Sequence, residues 1–241
     1  MVSTEYKWAK KAPRIELDTK TLQYAYQPIY DIRTGTIFGH EALMRPEGCS
    51  PMDIIDAYTE ANQLDVIEEI SLYYGTKFFK EAKLEGYLFI NSFPNACMSL
   101  EGAKRVAEIG GDEMASRLVF EVLEYAETDE TAWKIKKRAI EIYGSHPLYA
   151  IDDFGTGENT DQKCLDYYRP DIVKIDRQYI KNIDSDHWNQ LILADIIKHL
   201  RQRGITVLAE GVETKEEYTY LLGADVDLMQ GYYLGRPKVY A

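Results

Sequence analysis

Polar residues able to hold a metal or move a proton recur in this chain at or near the ends of short apolar runs. Glu41 follows Ile37-Phe38-Gly39-His40, Asn91 follows Tyr87-Leu88-Phe89-Ile90, Glu121 follows Leu118-Val119-Phe120, and Asp152-Asp153 follows Tyr149-Ala150-Ile151. Lys174 lies inside Asp171-Ile172-Val173-Lys174-Ile175-Asp176, Glu210 follows Val207-Leu208-Ala209, and Gln230 follows Leu228-Met229. In a barrel the C-terminal ends of strands converge on one mouth, where such folds place their active sites. Carboxylates crowded there repel one another unless cations neutralise them. Oxygen donors of Asp, Glu and Asn type suit Mg²⁺ or Mn²⁺, whereas Zn²⁺ prefers His and Cys. The histidines, His40, His146, His187 and His199, form no ligand-like constellation. Adjacent Asp152 and Asp153 suit two metals about 3.5–4 Å apart, the arrangement that activates water and stabilises the leaving oxygen in phosphodiester cleavage. For any one acid, helix capping or pairing with Lys or Arg stays open as the plainer role. That role does not account for the recurrence at strand ends.

The elements that must carry these residues read as an α/β fold on a largely parallel sheet, because apolar strand-like runs alternate with helical patterns almost throughout. The candidate strands are Leu22 to Ile29, Thr36 to Leu43, Tyr87 to Ile90, Leu118 to Val122, Leu148 to Ile151, Ile172 to Ile175, Ile205 to Ala209 and Asp227 to Met229. Helices are expected near 51–62, 64–83, 100–109, 129–144, 187–203 and 214–222. Ser50-Pro51-Met52-Asp53 offers an N-cap, a proline at the first helical position and an acid at the third, and Thr214 to Glu217 repeats the capping-box logic. Between the first two strands, Asp31 to Thr36 is too short for a crossover helix. Those strands should therefore pair antiparallel, which a regular (β/α)8 barrel would not do.

Composition narrows the function classes. The chain has 241 residues, 28 Lys or Arg against 40 Asp or Glu, and a formal net charge of −12. Such a surface repels phosphate and argues against nonspecific nucleic-acid binding. No stretch approaches the ~18 consecutive apolar residues of a membrane span. The opening residues lack an apolar run followed by a small-residue cleavage site, so the expected location is the cytoplasm. Cys49, Cys97 and Cys164 are far apart and read as ordinary thiols. No Pro-, Ser- or Gly-rich linker divides the chain, which is expected to be an N-terminal extension over 1–19 and a single domain over 20–241. Gly155-Thr156-Gly157 lacks the later glycine and lysine of a P-loop and reads as a turn. The tyrosines fall mostly on helical patterns, and the basic cluster Lys134, Lys136, Lys137 and Arg138 reads as a solvated helix face.

Glu41-Ala42-Leu43-Met44-Arg45 carries the tripeptide for which a family is named, and the chain resembles the EAL-domain phosphodiesterases that hydrolyse cyclic di-GMP. The other matching motifs, in the family's order, are Gln27-Pro28-Ile29, Ile90-Asn91-Ser92, Glu121-Val122-Leu123-Glu124, Asp152-Asp153-Phe154-Gly155-Thr156-Gly157, Lys174-Ile175-Asp176-Arg177, Ala209-Glu210-Gly211-Val212-Glu213-Thr214 and Gln230-Gly231-Tyr232-Tyr233. The resemblance implies a modified TIM barrel with an antiparallel first strand, in agreement with the short first turn. It implies Glu41, Asn91, Glu121 and Asp152 as ligands of one Mg²⁺ or Mn²⁺, and Asp152, Asp153 and Glu210 as ligands of a second. Lys174, with Asp153 and Glu210, then belongs to the catalytic set, Lys174 orienting the attacking water. Gln27, Leu43, Arg45, Asp176 and Gln230 match substrate contacts, Glu213 a supporting acid, and Glu124 the acid that anchors the loop after strand five. The implied product is linear pGpG. No matched metal or lysine position is substituted, which favours an enzyme over a non-hydrolysing cyclic di-GMP receptor that signals through a protein partner. After Gly157 the family continues with a small polar run, whereas this chain has Glu158-Asn159-Thr160-Asp161-Gln162-Lys163. In the family that loop couples the second metal site to the dimer interface, so the departure bears on homodimer formation and regulation more than on chemistry.

Overall fold

Strands β1 (Gln23–Asp31) and β2 (Thr36–Arg45) form an antiparallel hairpin whose turn is fixed by one side chain. Asp31 Oδ1 accepts hydrogen bonds from the backbone N–H groups of Arg33 at 2.8 Å and Thr34 at 3.2 Å, and Gly35 takes the left-handed conformation, φ 68°, that reverses the chain. An Asx turn of this kind closes a hairpin without room for a helix. The computed structural model describes residues 12–94, 96–123, 134, 137, 138, 147–155 and 162–240.

The remaining barrel strands are β3 (Tyr87–Ser92), β4 (Leu118–Val122), β5 (Leu148–Phe154), β6 (Ile172–Ile175), β7 (Thr206–Ala209) and β8 (Leu228–Met229), paired in parallel from β2 through to β8. β1 is antiparallel to both β2 and β8, and so closes the ring. The fold is thus the modified TIM barrel with an antiparallel first strand. One element was not expected: β9 (Lys238–Val239) adds to β1 at Ala25 and Tyr26.

Two apolar layers hold the barrel. Inside it, Ile29, Phe89, Val119, Ala150, Ile172, Leu208 and Leu228 form a floor. Outside it, alternate residues of the same strands, among them Leu88, Ile90, Phe120, Ile151, Val173 and Val207, pack against the surrounding helices. This inside-outside alternation is the period of two of a strand buried on both faces.

The helices are α1 (Pro51–Glu60), α2 (Leu64–Glu81), α3 (Leu100–Ala115), α4 (Gln162–Tyr168), α5 (His187–Gln202) and α6 (Lys215–Leu221). The capping boxes expected at Ser50/Asp53 and Thr214/Glu217 are both formed. α3 runs beyond the expected end at 109, because the chain kinks at Gly111 (φ 61°, ψ −156°) and then resumes as helix to Ala115. α4 was not expected, and neither was a short 3₁₀ turn at Arg177–Tyr179. The helix expected over 129–144 lies outside the described residues apart from Lys134, Lys137 and Arg138. Among the described residues no helix is long and apolar enough to cross a membrane.

Candidate active site

The floor determines what lies above it. Side chains two positions apart on a strand share a face, so each floor residue is followed by an inward-facing residue one layer nearer the mouth. Phe89 is followed in this way by Asn91, Val119 by Glu121, Ala150 by Asp152, Ile172 by Lys174, Leu208 by Glu210 and Leu228 by Gln230. On the antiparallel hairpin, Gln27 stands two residues before Ile29 and pairs across with Glu41. The apolar runs of the sequence therefore end in one polar ring.

Lys174 is at the centre of that ring and is 1% exposed. Its Nζ lies 2.7 Å from Glu121 Oε1, 2.7 Å from Asp152 Oδ1, 2.8 Å from Glu210 Oε1 and 4.0 Å from Glu41 Oε1. A simple charge-balancing role would have paired it with Asp153 or Asp176. Instead it is shared by carboxylates from four other strands or strand ends. Burial by itself would depress its pKa, but the surrounding Asp152, Glu121, Glu210 and Glu41 outweigh burial and hold it well above the usual lysine value.

The acids respond in the opposite sense. Glu121, 0% exposed, is pushed well above the usual carboxylate range by burial, against the attraction of Lys174. Burial likewise raises Glu210 to about 8, and burial with the neighbouring Asp152 raises Asp153 to about 6. Asp152, Asp153 and Glu210 bring ligand oxygens within 4.8 Å of one another. Among the described residues, buried Asn91 Oδ1 and Glu121 Oε2 have no hydrogen-bond partner, and Glu121 Oε1 has only its ion pair with Lys174. Among the described residues, five carboxylates thus surround one ammonium.

These shifts have a consequence for stability. An unfolded carboxyl titrates near ~4, so between that pH and the raised folded values the native state holds more protons than the unfolded chain. Stability then falls as pH rises. In excess chelator, Tm is expected to drop as pH passes through about 6 and about 8, the values of Asp153 and Glu210. Saturating Mn²⁺ should remove the drop, since metal binds the ionised ligands. Thermal scans in chelator that stay flat across this range would contradict the assignment of a charge-strained mouth.

The other expected residues lie around the ring. Gln230 Nε2 donates to Glu41 Oε2 at 2.6 Å, and Gln27 Nε2 donates to the Gly235 carbonyl at 3.0 Å. Leu43 continues β2 and is half-buried, while Arg45 ends that strand exposed, its Nη1 donating to the Met44 carbonyl at 2.9 Å. Asp176 does not reach Lys174 by any bond of the structure but caps the 3₁₀ turn, its Oδ1 accepting from Gln178 N at 2.9 Å. Glu213 pairs with Arg177 at 2.5 Å. Glu124 and residues 156–161 lie outside the described residues, and Gln162 and Lys163 open helix α4.

Two features of the site were not read from the sequence. Asp153 adopts φ 48°, uncommon for a non-glycine residue, at a break in the β5–β6 register between Ile151 and Phe154. This is how two adjacent aspartates, which a regular strand would point to opposite faces, both come to the mouth. Glu68 of α2 is 1% exposed and accepts hydrogen bonds from Ser92 Oγ at 2.7 Å and Phe93 N at 2.9 Å, tying down the end of β3 beside Asn91. The signal was its position, four residues from both Leu64 and Leu72 on the buried stripe of the helix.

A family model described as EAL domain matches residues 10–237 of this chain. The chain is 28% identical over 231 residues to the cyclic di-GMP phosphodiesterase PdeL of Escherichia coli K12, covering 88% of this chain and 61% of that protein. It is 30% identical over 225 residues to the cyclic di-GMP phosphodiesterase PdeF of the same organism, covering 88% of this chain and 29% of that protein. The chain thus spans about three fifths of the first relative and under a third of the second. Among solved structures, the c-di-GMP-bound form of a standalone versatile EAL protein from Vibrio cholerae O395 superposes with TM-score 0.77 at 30% identity, over 93% of this chain and 94% of that one. A manganese/cy-diGMP complex of Klebsiella pneumoniae BlrP1 gives TM-score 0.77 at 26% identity, over 95% of this chain and 58% of that one.

Proposed function

The chain belongs to the EAL domain family, and we propose that it hydrolyses cyclic di-GMP to linear pGpG with the help of two divalent metal ions, Mg²⁺ or Mn²⁺. The observation that carries this reading is the charge of the mouth: Glu41, Glu121, Asp152 and Glu210 lie within 4.0 Å of the Lys174 ammonium, and Asp153 adds a fifth carboxylate beside Asp152 and Glu210. The donor set fits hard cations, being all oxygen, with Asn91 Oδ1 and Glu121 Oε2 buried in it and without a hydrogen-bond partner among the described residues. Glu41, Asn91, Glu121 and Asp152 would hold one ion, and Asp152, Asp153 and Glu210 the other. When bound, such ions supply positive charge to the phosphate and acidify water.

The chain's own residues do the rest. Water attacks phosphorus in line, the bond to the sugar 3′ oxygen breaks, and that oxygen takes up a proton. Lys174, a three-proton donor fixed at the centre of the ring, orients the attacking oxygen, while Asp153 and Glu210 flank it as acceptors for the proton it loses. Gln27 and Gln230 line the β1–β8 side, where each amide keeps hydrogen-bonding capacity for the nucleotide beyond its bond to Gly235 or Glu41. Leu43 offers it an apolar contact, and Asp176 lies just beyond the mouth lysine. Arg45, exposed at the end of β2, presents a planar fork suited to a phosphate. Glu213, through Arg177, steadies the loop that carries Glu210.

The test is direct. Purified protein with cyclic di-GMP and Mg²⁺ or Mn²⁺ should yield pGpG. Ca²⁺ should inhibit, because its looser and larger coordination misplaces water and phosphate. Full turnover in excess chelator, or equal rates with Ca²⁺, would sink the metal-dependent reading. Tight nucleotide binding without any pGpG would favour the receptor reading instead.

A further inference from the structure

We propose that the 3₁₀ turn Arg177–Tyr179 sets the spacing between the paired aspartates of β5 and Glu210 after β7, with Tyr179 and Arg177 as positioning residues. The inference rests on reading Asp152, Asp153 and Glu210 as ligands. The turn follows β6, the strand that lies between β5 and β7, and grips both neighbours. On the β5 side, Tyr179 Oη donates to the Gly155 carbonyl at 2.8 Å, and Gln178 Nε2 donates to the same oxygen at 3.2 Å. That carbonyl closes the turn in which Asp153 is held at φ 48° and Gly155 at φ 103°. A strained backbone persists only where its surroundings over-determine it. The Tyr179 ring is packed so closely on Gly155 that a Cβ there would lie 2.2 Å from Cε2.

On the β7 side, the Arg177 stem lies against Gly211, where a Cβ would fall 2.5 Å from Arg177 Cγ, and Gly211 takes φ 68°. The guanidinium then pairs with Glu213 at 2.5 Å. Glu210 is the residue before Gly211, and its backbone N–H donates to the Ile175 carbonyl at 3.1 Å. One short turn therefore clamps the backbone of both carboxylate-bearing loops, and the two clamps are side-chain contacts that can be removed separately.

The experiment measures Mn²⁺ binding to the resting protein without nucleotide, by electron paramagnetic resonance titration. Tyr179→Phe keeps the ring on Gly155 and deletes only the hydroxyl donor, and Arg177→Met keeps the stem on Gly211 and deletes the pair with Glu213. Each is expected to weaken Mn²⁺ binding about tenfold, the usual range for partners behind a ligand shell. Tm should fall by no more than about 4 °C, as for one lost hydrogen bond in a chain of this size. Tyr58→Phe is the control: Tyr58 Oη accepts from Leu17 N at 3.3 Å on the outside of the barrel, so its loss should leave Mn²⁺ binding unchanged. Unchanged Mn²⁺ affinity in both mouth variants would overturn the proposal, as would an equal loss in Tyr58→Phe. Wild-type protein that binds no Mn²⁺ would overturn it together with the ligand reading. Intact Mn²⁺ binding with no cyclic di-GMP hydrolysis would leave the positioning role standing and remove only the phosphodiesterase reading.

Discussion

Asp152→Ala is expected to lower cyclic di-GMP hydrolysis by roughly 10³-fold or more while Tm stays within a few degrees of wild type. Asp152 is the one carboxylate proposed to serve both ions, so its loss degrades both sites at once. Its stability cost is small for two reasons. Lys174 keeps Glu121 at 2.7 Å and Glu210 at 2.8 Å, and so is not left as an unpaired buried charge. Removing one acid also relieves the repulsion that raises Asp153 and Glu210. The floor beneath, from Ile29 to Leu228, is untouched. The measurement is initial-rate formation of pGpG at saturating Mn²⁺ beside thermal denaturation of the same samples. Near-wild-type turnover would remove the paired aspartates from the mechanism. A collapse of Tm alongside activity would instead make Asp152 a structural partner of Lys174.

Lys174→Met should have the second largest effect, and its outcome depends on metal. The side chain is buried, and it is the only ammonium within 4.0 Å of Glu41, Glu121, Asp152 and Glu210 among the described residues. Removing one partner of a buried pair costs about 3–5 kcal/mol, so in chelator Tm should fall by about 6–20 °C. Adding Mn²⁺ should restore most of that loss, because the ions replace the missing positive charge. With Mn²⁺ present, kcat is expected to fall by about 10²-fold or more, the usual contribution of a positioned proton donor or acceptor. Affinity for cyclic di-GMP, measured with Ca²⁺ so that turnover does not interfere, should stay within a few-fold. Arginine is not a suitable replacement, since its longer fork cannot sit in the same ring. If stability and affinity are both lost even in Mn²⁺, and kcat per bound nucleotide is unchanged, Lys174 is a charge-balancing residue and leaves the catalytic list.

The ring of polar residues and the antiparallel first strand are legible in the sequence through local rules. A strand places residues two apart on one face, so an apolar residue followed two places later by Asn91, Glu121, Asp152, Lys174, Glu210 or Gln230 already defines a floor with a polar layer above it. The Asp31 to Gly35 turn is too short for a crossover, which makes the first strand antiparallel. Ser50/Asp53 and Thr214/Glu217 cap their helices with bonds spanning three residues. Each of these rests on groups close together along the chain.

Which charges meet depends on contacts between elements far apart along the chain. Lys174 could balance Asp176, two residues away, but the barrel presents it to Glu121, Asp152 and Glu210, 53, 22 and 36 residues distant. Glu68 has the composition of a solvated helix residue, yet the packing of α2 on β3 buries it against Ser92 and Phe93. Gly110-Gly111 looks like a helix end, and the chain kinks there and continues as helix to Ala115. Asp153 reaches the mouth through a left-handed conformation, φ 48°, at a break in the β5–β6 register that neither capping nor periodicity marks. The physical reason is common to these cases. Periodicity and capping act within a turn or two, whereas desolvation and ion pairing are fixed by the neighbours that barrel closure brings together.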